Sequence, residues 1–317
     1  MEKKILVTGA NGFIGQNCLM LLMENSGYDV FACCHHLPAV KMPGIHYIEC
    51  DLTNEESMEK ALKDISASHL LHLAWYVEPG RYMHSKQNVK WLCCSLKLIQ
   101  LFVKYGGKRV VTAGTCAEYD WKSISVDGII SEDFSANNNS SLYSSAKSAL
   151  GNMAYAYMKE YGLSAAHGRI FYLFGPGENT HRLIPSAITL FKNKKAIELK
   201  NGLYVRDYLY VKDVASAFIK ILFSEAEGAV NIGSGEGKSL FELLECVENM
   251  MEVDGLIKVN DTVNASEPMR IIANTNKLKL LGWTRKYSME EALREYCELM
   301  RCVKKDGAYE REHRNNI

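Results

Sequence analysis

Apolar and polar positions alternate along the first half of this chain in two interleaved rhythms. KILVT at 4–8, YDVFACC at 28–34, HYIEC at 46–50, HLLHLA at 69–74, RVVTAG at 109–114 and SAAHGRIF at 164–171 are short and largely apolar, and each predicts a strand. Longer stretches with helical spacing lie between them, among them QNCLMLLMEN at 16–25 and the segments 84–105 and 141–161. Strand and helix in alternation predict an α/β fold, a parallel sheet covered on both faces. The rhythm changes after about residue 170. The Gly- and Pro-bearing loop FGPGEN at 174–179 leads into a helix near 181–192, and RDYLY at 206–210 runs into VKDVASAFIKILF at 211–223. This predicts a sheet domain over 1–170 and a smaller C-terminal α/β lobe over 171–317, partly interleaved with the sheet. ANNNSS at 136–141 reads as a loop closing on a helix cap, and the charged end 304–317 as a frayed tail.

Composition narrows the function classes. The 317 residues hold 37 Lys plus Arg against 37 Asp plus Glu, so bulk charge gives no pull toward nucleic acid or an anionic membrane. No apolar run is long enough to span a bilayer, and the strand-like start lacks the pattern of a signal peptide, which predicts a cytoplasmic protein. Ten cysteines include the adjacent pairs Cys33–Cys34 and Cys93–Cys94 but no Cys-x-x-Cys, and no Cys/His spacing suits zinc. Reduced, mostly buried thiols and no metal are expected.

Gly9, Gly12 and Gly15 form a G-x-x-G-x-x-G loop between the first strand and the first helix. Such a loop turns tightly, lets a pyrophosphate approach the backbone and presents the free N–H groups of a helix start. With Asn11, Phe13 and Ile14 it is the expected dinucleotide cradle. A carboxylate after the second strand normally accepts hydrogen bonds from the adenosine ribose. Here that strand ends Cys33-Cys34-His35-His36, with no acid, so NADP is favoured over NAD and His35 is placed near the ribose. Asp51 and Leu52, after the third strand, are expected at the adenine edge.

These features occur in order with His72-Leu73-Ala74, Thr115, Tyr143-x-x-x-Lys147 and RDYLYVKDVA at 206–215. The ordered set resembles the extended short-chain dehydrogenases/reductases of the nucleotide-sugar epimerase/dehydratase family over nearly the whole chain. The resemblance implies a Rossmann-type doubly wound sheet binding NAD(P), with Leu73 and Ala74 beside the cofactor. It further implies a C-terminal lobe for a nucleoside-diphosphate sugar, and a homodimer formed through the helices at 84–105 and 141–161.

Tyr143 and Lys147 stand one helical turn apart and project from one face. A free phenol has a pKa near 10, too high for a base at neutral pH; a neighbouring ammonium favours the phenolate. Tyr143 is thus the expected proton donor or acceptor, Lys147 its electrostatic partner and the holder of the nicotinamide ribose, and Thr115 the group that aligns the reacting oxygen. Asn88 resembles a family asparagine that supports the site. Family dehydratases carry Asp-Glu directly after the threonine; Cys116 and Ala117 stand there, which argues against dehydration, and the absence of a cysteine at 117 argues against the reductase-epimerases. Reduction of a nucleoside-diphosphate 4-keto-(6-deoxy)hexose is the favoured reading, C4 epimerisation the alternative, and a non-catalytic dinucleotide-binding regulator the reading of another class. On the substrate side the resemblance points to Arg206 for the diphosphate, with Arg182, Tyr172, Trp75 and Glu118 also expected there. A second diphosphate arginine, usual before EPMRIIAN, is missing from NASEP at 264–268.

Overall fold

A computed structural model describes residues 3–25, 27–260 and 267–302. The segment 304–317 and residues 264–266 of NASEP lie outside the described residues. The strands are β1 Lys4–Thr8, β2 Asp29–Cys34, β3 Ile45–Glu49, β4 His69–His72, β5 Arg109–Thr115, β6 Ile129–Ile130, β7 Ser164–Ile170 and β8 Tyr172–Phe174. They continue with β9 Ile197–Lys200, β10 Val205–Arg206, β11 Tyr208–Tyr210, β12 Gly228–Ile232, β13 Lys238–Ser239, β14 Ile257–Asn260 and β15 Arg270–Ala273. The α-helices are α1 Phe13–Asn25, α2 Glu55–Ile65, α3 Gln87–Lys104, α4 Leu142–Tyr161, α5 Leu183–Lys192, α6 Val211–Leu222, α7 Leu240–Met250, α8 Asn276–Leu280 and α9 Met289–Cys302.

Seven strands form one parallel sheet in the order β12-β7-β5-β4-β1-β2-β3. The order reverses between β1 and β4, which opens a crevice at their C-terminal ends. Both faces of the sheet are apolar because helices cover both. One face meets α1, α6 and α8 through Leu19, Leu22, Phe218, Ile221 and Leu278; the other meets α2, α3 and α4 through Met58, Leu62, Leu98, Phe102 and Leu150. The parallel sheet covered on both faces, expected from the alternation, is therefore present, and it is doubly wound as the resemblance implies. The edge strand β12, which follows helix α6, is not among the strands expected from the alternation.

The second region packs α5, α7 and α9 around Ile188, Phe191, Leu243, Val247 and Leu293. A four-stranded sheet, β13-β10-β15-β6, joins it to the first. The chain crosses residue 170 in both directions, since β12 joins the large sheet and β6 pairs with β15. α4 begins where the loop signal puts it: Ser141 Oγ accepts from Ser144 N, and the helix ends on Gly162 at φ 64°.

Candidate active site

The glycine loop lies in the crevice and satisfies the steric demands of a phosphate cradle. Gly9 has φ 66°, and a Cβ there would meet Ala74 N at 2.7 Å. A Cβ on Gly15 would stand 2.1 Å from Gly9 O, so the start of α1 packs against the turn only as glycine. Asn11 Nδ2 donates to His36 O at 3.0 Å and ties the loop to the end of β2. These residues fit a dinucleotide, whose pyrophosphate would be held by the loop amides and the start of α1. Asp51 Oδ1 accepts from Thr53 N at 2.8 Å. Burial pushes its carboxyl up, but the Thr53 bonds and the nearby His35 and Lys90 hold it low. An acid with no place in the motif reaches the same mouth from β3: Glu49 pairs with Cys34 across the sheet, and its carboxylate lies 3.6 Å from His36 Nδ1.

At the other end of the crevice β5 delivers Thr115 and α4 delivers Tyr143 and Lys147. Tyr143 is half-buried. Burial pushes its phenol well above the usual value, Tyr82 and Glu118 add to that, and the nearby Thr115 side chain opposes it. Thr115 Oγ1 also accepts from Ala117 N at 3.2 Å and caps the 3-10 turn Cys116–Glu118. Threonine and tyrosine thus lie near one another at this end of the crevice.

Lys147 departs from the expected partnership. It is 4% exposed, and Nζ donates to Ala113 O at 2.8 Å. The amine lies 3.9 Å from the centre of the Trp75 ring but 5.9 Å from that of Tyr143. Burial lowers its pKa to about 7, with Glu118 opposing, because no carboxylate pairs with it directly. In this state the amine is held by a carbonyl and an indole face rather than by the phenol.

Around this pair sit aromatic groups. Trp75 Nε1 donates to Asn88 Oδ1 at 3.0 Å; Asn88, fully buried, donates to Tyr82 O and Ser85 O. Tyr82 stands edge-on to Tyr143 with centroids 4.8 Å apart, and the exposed Arg182 lies 5.8 Å from the Tyr82 ring. Tyr172 packs on Tyr208 at 5.4 Å and under Arg206 at 5.7 Å. Arg206 is itself buried: Nη1 donates to the carbonyls of Val205, Pro268 and Met269, and Nη2 meets Glu267 at 3.2 Å. A carboxylate already pairs with the guanidinium expected to hold a diphosphate. Glu178, in the loop after β8, has a buried Oε2 without a partner, and burial raises its carboxyl to about 8 against the nearby Arg182.

Glu118 corrects an expectation. It is fully buried, and its carboxylate accepts from Thr115 N at 2.7 Å, His167 Nε2 at 3.0 Å and Arg169 Nε at 2.9 Å. With both oxygens engaged inside the protein, it supports the threonine turn and does not touch a substrate. His167 and Arg169 were legible only as two polar positions, i and i+2, in a strand otherwise apolar on both faces; that spacing puts them on one face. Cys116 is also buried, which pushes its thiol up to about 12. It carries its proton at neutral pH and is no base. Six of the ten cysteines are buried and all ten are free, and among the described residues no His/Cys/Asp/Glu cluster suits a metal.

The model of the NAD dependent epimerase/dehydratase family matches residues 5–233. The chain belongs to this family. The match runs from the first strand through the glycine loop and the Thr-Tyr-Lys set to the end of β12, in agreement with the resemblance read from the motifs. Among curated relatives, the UDP-glucuronate 4-epimerase of Thermodesulfobacterium geofontis is 25% identical over 94% of this chain and 98% of its own. The CDP-abequose synthase of Salmonella typhimurium is 24% identical over 93% and 97%. The crystal structure of UDP-glucose 4-epimerase from Thermotoga maritima with UDP-glucose superposes with a TM-score of 0.82 at 25% identity, covering 94% of this chain and 98% of that one. Membership makes the chain an NAD-dependent enzyme of this class. Among the described residues no helix is long and apolar enough to cross a membrane.

Proposed function

We propose that this member of the family reduces a nucleoside-diphosphate 4-keto-(6-deoxy)hexose, with Tyr143 giving the proton to the keto oxygen. The observation that carries the reading is that Thr115, Tyr143 and the buried Lys147 gather at one end of the crevice, the Thr115 side chain acting on the phenol and Lys147 Nζ 5.9 Å from its ring centre. A dinucleotide held by the glycine loop would supply the hydride. Thr115 Oγ1 orients the substrate oxygen, and Tyr143 Oη donates to it as negative charge develops there. Lys147, when protonated, makes loss of the phenolic proton easier. Tyr172, Tyr208, Arg206 and Arg182 surround the proposed sugar-nucleotide position, Arg206 through the amino group now paired with Glu267. Trp75 walls the site on the Lys147 side.

The two residues after Thr115 contain no acid, which speaks against dehydration. C4 epimerisation is the second reading, favoured by the epimerases among the relatives. The intact Tyr-Lys pair speaks against a non-catalytic regulator. For the cofactor, the His35–His36 pair suits the 2′-phosphate of NADP, while Glu49 beside His36 suits the ribose hydroxyls of NAD. The exposed Val89 on α3 and Met153 on α4 support a homodimer through these helices.

The test is a panel of nucleoside-diphosphate 4-keto-6-deoxy sugars incubated with NADPH or NADH. Stoichiometric loss of reduced-nicotinamide absorbance supports reduction and ranks the two dinucleotides. Isomerised sugar without net loss supports epimerisation. Neither outcome with any sugar, together with unchanged dinucleotide affinity in Tyr143→Phe, points to the regulator.

A further inference from the structure

We propose that Trp75 is a positioning residue for Lys147: the indole face holds the buried ammonium in its charged form and in place, in an arrangement pinned by Asn88. The proposal rests on the Tyr-Lys reading of the site, which gives Lys147 its importance. Three observations carry it. The amine lies 3.9 Å from the centre of the Trp75 ring, well inside the range of cation–π attraction. The side chain of Lys147 is buried and Nζ donates to Ala113 O at 2.8 Å, while an ammonium has three protons to place. The indole is anchored: its N–H donates to Asn88 Oδ1 at 3.0 Å, and Asn88 Nδ2 donates to Tyr82 O at 2.5 Å and Ser85 O at 3.0 Å. Tyr82 in turn stands edge-on to Tyr143, so one buried amide sets an aromatic wall against each member of the pair.

The other groups facing Lys147 do not do this work. Glu118, below the turn after β5, favours the charged amine from a distance, but its oxygens are committed to Thr115, His167 and Arg169. His72 on β4 is bonded to Thr8 and Ser95, and burial drops it to about 3, so it is neutral and brings no counter-charge. Tyr143 on α4 keeps its proton because burial raises it. Among the described residues, the face of Trp75, at 3.9 Å, is therefore a much closer electron-rich surface to the amine than the Tyr143 ring at 5.9 Å. Removing it leaves the ammonium desolvated with a single acceptor, and the amine sheds its proton at lower pH.

The experiment is an NMR titration of protein labelled with 13C at lysine Cε, with Lys147→Met to assign the signal, in the wild-type chain, Trp75→Phe and Trp75→Leu. The Lys147 midpoint should fall by about one pH unit in Trp75→Leu, as expected for loss of a desolvated cation–π contact, and by less in Trp75→Phe. The alkaline limb of the kcat/KM profile should move with it, a shift that mere loosening of the fold does not produce. Equal midpoints in the three proteins overturn the proposal, as does a larger fall in the Phe variant than in the Leu variant. Should Trp75→Leu fail to fold, the Phe variant decides: a lowered midpoint supports the role and an unchanged one overturns it. The titration needs no turnover, so its outcome is separate from that of the functional reading: a chain whose Tyr143→Phe form stays active would lose the catalytic assignment without altering the midpoint.

Discussion

Glutamine at position 118 would keep the shape of the side chain and remove its charge, which isolates the electrostatics beneath the catalytic turn. Three donors converge on the Glu118 carboxylate: the Thr115 amide at 2.7 Å, His167 Nε2 at 3.0 Å and Arg169 Nε at 2.9 Å. A carboxamide offers one acceptor oxygen and turns an N–H₂ toward another donor. At least one of the three bonds is therefore lost, and the buried Arg169 loses its counter-charge. Breaking one side of a buried ion pair costs about 3–5 kcal/mol. With an unfolding entropy of about 2.1 cal/mol/K per residue over 317 residues, that lowers the melting temperature by about 4–8 °C. Calorimetry of wild type and Glu118→Gln at pH 7 measures it. The pH dependence has a definite sign. Burial pushes the Glu118 carboxyl up, but His167, Arg169 and the Thr115 amide outweigh it and hold the folded value below the usual one. A depressed carboxyl contributes stability that is complete above its unfolded value and is lost as pH falls through the folded value. The gap between the two proteins should persist at neutral pH and close only below the ordinary carboxylate range. A double variant with Arg169→Met should recover part of the loss, because it removes the stranded charge. A melting temperature within about 1 °C of wild type would refute the claim that this carboxylate balances a buried cation.

Tyr143→Phe should lower kcat by at least about 100-fold while dinucleotide affinity, followed by fluorescence, stays within a few-fold, because only the proton donor is removed. In the cofactor-free enzyme Lys147 loses its proton as pH rises through about 7, so kcat/KM should fall on the alkaline side of that value; a flat profile from pH 6 to 9 would contradict it. Gly15→Ala should abolish dinucleotide binding in a calorimetric titration, since its Cβ would stand 2.1 Å from Gly9 O and the loop must open to admit it. Gly114→Ala would place a Cβ 2.3 Å from His167 Nε2 and 2.6 Å from Glu118 Oε1, and should destabilise the chain by about 1–3 kcal/mol in urea, as overpacking does.

The sequence by itself determined the features that depend on local backbone geometry and on one-dimensional order. Alternating strands and helices specified the parallel sheet, because parallel strands need crossovers and buried faces need apolar runs. The glycine spacing specified the cradle, since the clash at Gly15 is with Gly9 only six positions earlier. Tyr143 and Lys147 were legible as a pair because the α-helix itself sets their spacing. What the tertiary structure alone decided are the partners of those groups. Lys147 meets Trp75 from β4's end, Glu118 is sealed by His167 and Arg169 from β7, and Glu49 reaches the dinucleotide mouth from the neighbouring strand β3. The contacts of Lys147 and Glu118 join residues 49 to 72 positions apart, and that of Glu49 joins neighbouring strands, so no local pattern encodes them.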